Sequence, residues 1–151
     1  MTPPRGRFVL DRPAWEEVLS HAREGADADP PREVCGVLAG RVEDAEPPVE
    51  FVERVRRVPN VAENPRVEYE LDPEETLRTI EAVESEGLDV LGFYHSHPES
   101  DPVPSETDRR QATWAGYVYL VCNPGVRPTD RMNAYRWTGS AFERLSLAWF
   151  E

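Results

Sequence analysis

Two stretches of the chain are apolar at nearly every position, and they constrain the fold more than any other feature. Residues 34–40 and 117–122 lack the polar alternation of a strand that faces water on one side. Strands of this kind are buried on both faces, so we expect helices to pack above and below one sheet. The glycines Gly36 and Gly40 also predict that neighbouring chain segments approach the first of these strands closely.

Helix signals alternate with the strand signals. Pro13 suits the first turn of a helix, and the apolar residues after it recur three and four positions apart: Trp15, Val18, Leu19 and Ala22. Asp72 is a capping residue before Pro73, and Gly87 ends the second helix. Its inward-facing residues are expected to be Leu77, Ile80 and Val83, with Thr76 beside them. Ser105 begins a third helix, which we expect to run to about residue 115.

The remaining segments complete an α/β pattern. Residues 8–10, 49–58, 90–95 and 132–137 are predicted strands, residues 59–71 are irregular, and residues 141–150 form a last strand or helix. The alternation predicts a mixed β-sheet sandwiched by helices. At this length we expect residues 1–151 to form a single domain.

Charge and composition exclude several classes of function. Acidic residues outnumber basic residues 29 to 17, which gives a net charge of −12 and disfavours binding to nucleic acid. No apolar stretch approaches the length of a membrane span, and the amino terminus lacks a secretory signal, so we expect a cytoplasmic protein without membrane contact. In that compartment Cys35 and Cys122 are predicted to be free, buried thiols.

The histidines carry the strongest chemical signal. His95 and His97 stand two residues apart at the end of a predicted strand, so their side chains project from the same face. Two imidazoles arranged in this way are suitable ligands for Zn²⁺. Asp108 falls in the first turn of the helix that Ser105 begins, where it can supply a carboxylate oxygen. A site of two histidines and one aspartate keeps the fourth position that catalytic zinc requires.

Each half of this pattern has an ordinary explanation when it is taken alone. A His-x-His pair is often incidental, and Ser105 with Asp108 is a normal capping pair. The two halves together, separated by a short loop, favour a catalytic metal site. The third histidine, His21, falls in the first predicted helix without a partner in sequence, and we expect it to lie at the surface.

The segment from His95-Ser96-His97-Pro98 through Ser105 to Asp108 resembles the signature of the JAMM (MPN-plus) metallopeptidases. Residues 33–40 resemble the segment in which that family places its catalytic glutamate, here Glu33. Asn60, Pro65, Tyr69 and Asp72-Pro73 resemble the stretch before the family's second helix. The resemblance spans about residues 8–138.

The resemblance implies a cytidine-deaminase-like architecture and a peptidase with one Zn²⁺ held by His95, His97 and Asp108. It implies that Glu33 is the general base that activates water and that Ser105 stabilises the oxyanion. Small prokaryotic members imply a substrate that is a ubiquitin-like or sulphur-carrier protein, cut after its carboxyl-terminal Gly-Gly.

Two other functions compete with a peptidase. A non-catalytic MPN-like scaffold would bind partners without metal, although such a scaffold has no need of the ligands that this sequence keeps. A zinc-dependent nucleoside deaminase requires His-x-Glu together with Pro-Cys-x-x-Cys, and the two motifs do not occur together here. The oligomeric state and the exact bond that is cleaved stay open.

Overall fold

The computed structural model describes residues 6–150 of the chain. Within them the strands are β1 (Arg7–Asp11), β2 (Cys35–Glu43), β3 (Val49–Val58), β4 (Asp89–Ser96), β5 (Val118–Cys122), β6 (Met132–Trp137), β7 (Phe142–Arg144) and β8 (Ser146–Phe150). The helices are α1 (Arg12–Asp27), α2 (Pro73–Ser85) and α3 (Glu106–Gln111), with a 3₁₀ turn at Pro128–Asp130. No helix in this part of the chain is long and apolar enough to cross a membrane.

All of these strands belong to one mixed sheet in the order β7-β6-β5-β4-β2-β3-β1-β8. Strand β1 pairs in parallel with β3 and β8, and β4 pairs in parallel with β5, whereas the other neighbours are antiparallel. The edge strands β7 and β8 are consecutive in sequence and are separated only by Leu145. One residue spans at most about 3.6 Å, so the sheet must curl until its two edges approach each other.

Helix α1 covers one face of the sheet. Asp11 caps it by accepting a hydrogen bond from the Ala14 N–H at 2.9 Å, and Val18 packs into the main core against the sheet. His21 lies on this helix. The prediction that it is a surface residue is wrong. It is half-buried, and its Nδ1 lies 2.7 Å from the Tyr94 hydroxyl.

Helix α2 covers the opposite face, where Val37, Val58 and Phe93 form a second apolar cluster. The predicted mixed sheet between helices is therefore confirmed. The expectation that Leu77 faces inward is wrong, since it is 57% exposed. Thr76 and Val83 are buried, and because seven residues make nearly two turns they share the inward face. Leu77 is rotated by about 100° from Thr76.

The third helix ends earlier than predicted. It stops at Gln111 because the next N–H groups of Thr113 and Trp114 donate to the Tyr119 hydroxyl, at 3.3 and 3.1 Å, instead of to helical carbonyls. Gly116 then turns the chain with a φ of 89°. The last predicted element, residues 141–150, is two strands rather than one. Cys35 and Cys122 are buried free thiols, as expected.

Candidate metal centre

Strand pairing brings the two halves of the candidate site together. Glu33 precedes β2, and the antiparallel β2–β4 ladder places Cys35 opposite His95. The pairing extends beyond the ladder, because the Ser96 N–H donates to the Val34 carbonyl and the Val34 N–H donates to the Ser96 hydroxyl, at 3.0 and 2.9 Å. Glu33 and His95 are 62 positions apart in sequence, but the pairing of β2 with β4 brings them to the same end of these strands.

Four side chains converge at this strand end. One oxygen each from Glu33 and Asp108 and one nitrogen each from His95 and His97 lie within 4.8 Å of one another, and all four residues are buried. Asp108 Oδ2 is 2.9 Å from His95 Nε2 and 3.1 Å from His97 Nε2. Two imidazoles and a carboxylate, with a second carboxylate close by, form a donor set that fits a metal ion.

Unpartnered atoms support the same conclusion. Glu33 Oε1 and His95 Nδ1 are buried and have no hydrogen-bond partner among the described residues. Leaving such an atom unsatisfied costs about 1–3 kcal/mol, so each calls for an explanation such as a functional role or a bound ligand. One oxygen of the same Glu33 carboxyl group stands in the cluster itself, where a ligand held by the other side chains would meet it.

The histidine rings are fixed by their surroundings. His97 Nδ1 lies 2.7 Å from the Asp101 carbonyl, an acceptor that selects the tautomer with the proton on Nδ1 and leaves Nε2 for a ligand. The ring of Tyr69 stacks on His95, with centroids 4.1 Å apart and planes inclined by 17°. Asn123 and Asn133 donate to the carbonyls of Ser100 and Pro102, on either side of Asp101, at 2.7 and 2.9 Å.

Ser105 lies beside Asp108 as the cap of α3. The two residues form a reciprocal capping box, in which the Asp108 N–H donates to Ser105 Oγ at 3.0 Å and the Ser105 N–H donates to Asp108 Oδ2 at 2.9 Å. The ordinary explanation of this pair is therefore correct. It is also compatible with a role in chemistry, because the cap uses the hydroxyl as an acceptor and its proton can still be donated to a substrate.

Burial sets the electrostatics of the cluster. It raises the pKa of Glu33 from 4.5 to about 8, with Asp108 acting in the same direction and His97 opposing. Burial alone would also raise the pKa of Asp108, but the two histidines and the Ser105 N–H more than offset it and hold that pKa below its usual value. Asp108 is thus ionised and available as a ligand, whereas Glu33 is a group that can hold a proton near neutral pH in the absence of metal.

Sequence reasoning missed the outer layer of the site. Asn123, Asn133 and the carbonyl of Asp101 carry no motif, since any residue offers a backbone carbonyl. His97-Pro98-Glu99 does supply a His-x-Glu. However, Glu99 is on the surface, where it pairs with Arg66 at 2.6 and 2.9 Å. The carboxylate that faces the cluster is Glu33, so this centre differs from that of a deaminase.

Comparison with known proteins gives consistent results. The family described as prokaryotic homologs of the JAB domain matches residues 15–138. A desampylase of Haloferax volcanii is 57% identical over 142 residues, which cover 94% of this chain and 96% of that protein. A probable TtuB-protein conjugate cleaving protease of Thermus thermophilus is 36% identical over 80% of this chain and 73% of its own.

Less similar proteins also match over most of their length. A CysO-cysteine peptidase of Mycobacterium tuberculosis is 32% identical over 79% of this chain and 75% of its own. The solution structure of a Desulfitobacterium hafniense protein superposes with a TM-score of 0.78, at 28% identity, over 94% of this chain and 92% of that one. This chain therefore belongs to the prokaryotic JAB-domain family and is a hydrolase of the JAMM type.

Proposed function

We propose that the protein is a zinc-dependent isopeptidase, active as a single cytoplasmic domain over residues 1–151. Its substrate would be a ubiquitin-like or sulphur-carrier protein, cut after its carboxyl-terminal Gly-Gly. The observation that carries the proposal is the buried Glu33 carboxyl group, which has one oxygen within 4.8 Å of donor atoms of His95, His97 and Asp108 and whose Oε1 has no hydrogen-bond partner among the described residues. A scaffold that only binds partners gains nothing from an unsatisfied carboxyl group in its interior.

The relatives support the class of substrate. One is named a desampylase, a second a TtuB-protein conjugate cleaving protease and a third a CysO-cysteine peptidase. The second name describes the cleavage of a protein conjugate, and the third describes a peptidase for CysO-cysteine. The family resemblance implies that the carrier protein ends in Gly-Gly and that the bond cut lies after this terminus.

In this proposal His95, His97 and Asp108 hold the zinc ion. When bound, zinc lowers the pKa of a water molecule towards about 7 and polarises a carbonyl group. Glu33 then accepts a proton from water and passes it to the leaving amine. Without metal, burial raises the pKa of Glu33 to about 8, and a bound cation favours the ionised carboxylate, which is the form that accepts the proton.

The hydroxyl of Ser105 completes the proposed catalytic group. Its proton is directed to the carbonyl oxygen of the scissile bond as negative charge develops there, an effect worth about 3 kcal/mol in comparable sites. The capping box fixes the Ser105 oxygen by holding it to the Asp108 N–H. The same hydrogen bonds support the proposal that Asp108 as a metal ligand and Ser105 as the oxyanion donor act side by side.

A groove beside the cluster offers a place for the substrate. One cavity of about 460 Å³ lies between residues 69–71 and α3, and a second of about 340 Å³ adjoins α2. Leu71 and Trp114 line both, and Leu77, exposed at 57%, borders the second. Because the ring of Tyr69 lines the first cavity and stacks on His95, a chain bound there would lie next to the metal ligands.

Replacement of Glu33 by glutamine tests the function. Glu33→Gln keeps the size of the side chain but removes its ability to accept a proton, so turnover of a Gly-Gly isopeptide conjugate should fall by about 10²–10⁴-fold. The zinc content, measured by elemental analysis, should stay at the wild-type level. Glu63→Gln changes an exposed glutamate two residues before Pro65. It is the matched control and should be fully active.

Each other outcome contradicts a specific part of the proposal. Loss of zinc in Glu33→Gln would make Glu33 a ligand rather than a base. Unchanged turnover would exclude it from catalysis. A wild-type protein that holds zinc but leaves every carrier conjugate intact would refute the proposed substrate class.

A further inference from the structure

The side chain of Asn60 makes four hydrogen bonds, all with the main chain. Its Nδ2 donates to the carbonyls of Glu33 and Glu68, at 2.9 and 3.1 Å. Its Oδ1 accepts from the N–H groups of Ala62 and Glu70, at 3.0 and 2.9 Å. Both amide protons and both oxygen lone pairs are therefore used, which defines one orientation of the side chain.

These hydrogen bonds connect the two sides of the metal centre. Glu33 lies just before β2, where no strand partner restrains its backbone. It is held instead from the 60–70 segment, since its carbonyl accepts from Asn60 and its N–H donates to the Pro65 carbonyl at 2.6 Å. On the other side, Glu68 and Glu70 flank Tyr69, whose ring stacks on His95. A single amide thus fixes the backbone of Glu33 and of the residue that covers His95.

We propose that Asn60 is a positioning residue for the hydrolysis proposed above, on which this inference rests. Asn60 keeps the Glu33 carboxyl group at the buried cluster and acts through Glu33 rather than on the substrate. The same hydrogen bonds would be present if Asn60 only stabilised the loop. The two roles differ in one respect, because a positioning role matters only while Glu33 can act as a base.

Removal of the Asn60 amide should lower the rate of the chemical step. A displacement of about 1 Å at a catalytic group costs about 10²-fold, so Asn60→Ala should reduce kcat by about 10–100-fold. KM and zinc content should stay within about twofold of the wild type, because no substrate contact or metal ligand is removed. Asn60→Asp, which replaces the two N–H donors with a carboxylate facing two carbonyls, should lose as much with a smaller change of volume. Asn64→Ala, at an exposed asparagine of the same loop, is the control and should keep full activity.

A double-mutant cycle separates the two roles. In a Glu33→Gln background, measured in single turnover with enzyme in excess, Asn60→Ala should cause less than about a twofold further loss. The same 10–100-fold loss in both backgrounds would overturn the proposal and leave Asn60 with a structural role only. Loss of zinc in Asn60→Ala, or an equal loss of activity in Asn64→Ala, would overturn it as well.

Amide hydrogen exchange distinguishes failure of this inference from failure of the proposed function. In Asn60→Ala the N–H groups of Glu33 and Glu70 should exchange faster, whereas those within β4 should keep their protection. Unchanged exchange at Glu33 and Glu70 would overturn the proposal even for an active enzyme. Faster exchange in a protein whose wild type cleaves no conjugate would support the Asn60 contacts and count against the proposed function alone.

Discussion

Glu33→Gln should make the metal-free protein more stable at neutral pH, although it should abolish most activity. In the folded protein, burial raises the pKa of Glu33 from 4.5 to about 8. Below pH 4.5 the carboxyl group is protonated in the folded and the unfolded chain alike. As the pH rises, the unfolded chain releases the proton and the folded protein keeps it, so stability is lost between pH 4.5 and about 8. Glutamine does not ionise and avoids this loss.

The size of the effect follows from the pKa difference. Each pH unit in that interval costs at most about 1.4 kcal/mol, which gives about 3 kcal/mol at pH 7. For a chain of this length, 1 kcal/mol shifts the melting temperature by about 2–4 °C. Glu33→Gln should therefore raise the melting temperature of the chelated protein by about 6–12 °C at pH 7, and the difference should disappear below pH 4.5.

Thermal unfolding of the chelated proteins between pH 4.5 and 8, followed by circular dichroism, measures this difference, with Glu63→Gln as the control. Zinc should narrow the gap between wild type and Glu33→Gln, because a cation near Glu33 favours its ionised form. Parallel pH profiles for the two proteins, or a less stable Glu33→Gln at pH 7, would show that burial does not perturb this carboxyl group.

Four further predictions concern the metal site and the core. His95→Ala and His97→Ala should each remove the zinc, and normal metal content in both would refute the ligand assignment. Chelation of the wild type should lower the melting temperature but keep one cooperative transition, whereas complete unfolding would indicate a structural metal. Asn123→Ala, which releases the Ser100 carbonyl beside the acceptor of His97, should weaken zinc binding by about 10–100-fold in a chelator competition. Burial lowers the pKa of His21 from 6.5 to about 4, so the wild type should lose up to about 3 kcal/mol as the pH falls through that interval. His21→Gln should remove this acid sensitivity, and an unchanged pH profile would contradict it.

Local patterns predicted most of the strands and helices. The two continuous apolar runs form β2 and β5 in the middle of the sheet. Asp72 caps the start of α2, and Gly87, with a positive φ, follows its end, as predicted. The errors lie where a tertiary contact overrides a local preference. The Tyr119 hydroxyl takes the N–H groups that would have continued α3. The sequence of residues 105–115 gives no sign that the Tyr119 hydroxyl will accept these hydrogen bonds.

The candidate site divides in the same way. His95, His97 and Asp108 lie within fourteen residues, so strand and helix periodicity suffice to place them together. Glu33 could be identified only through the family resemblance, because its approach depends on the register that sets Cys35 opposite His95. Register follows from the packing of the whole sheet rather than from the residues of one strand.

The hydrogen bonds of Asn60 offset an energetic cost that the burial of Glu33 creates. A buried Glu33 costs the metal-free protein about 3 kcal/mol at pH 7 by the linkage given above, so on that term alone the chain would favour turning Glu33 out to water. Each of the four Asn60 hydrogen bonds contributes about 0.5–1.5 kcal/mol net, and together they are comparable with that penalty. The bond from Glu33 to the Pro65 carbonyl adds to them. The irregular 59–71 segment therefore does not merely connect β3 to α2. The hydrogen bonds within it help to keep an unsatisfied carboxyl group at the candidate metal centre, where the proposed catalysis requires it.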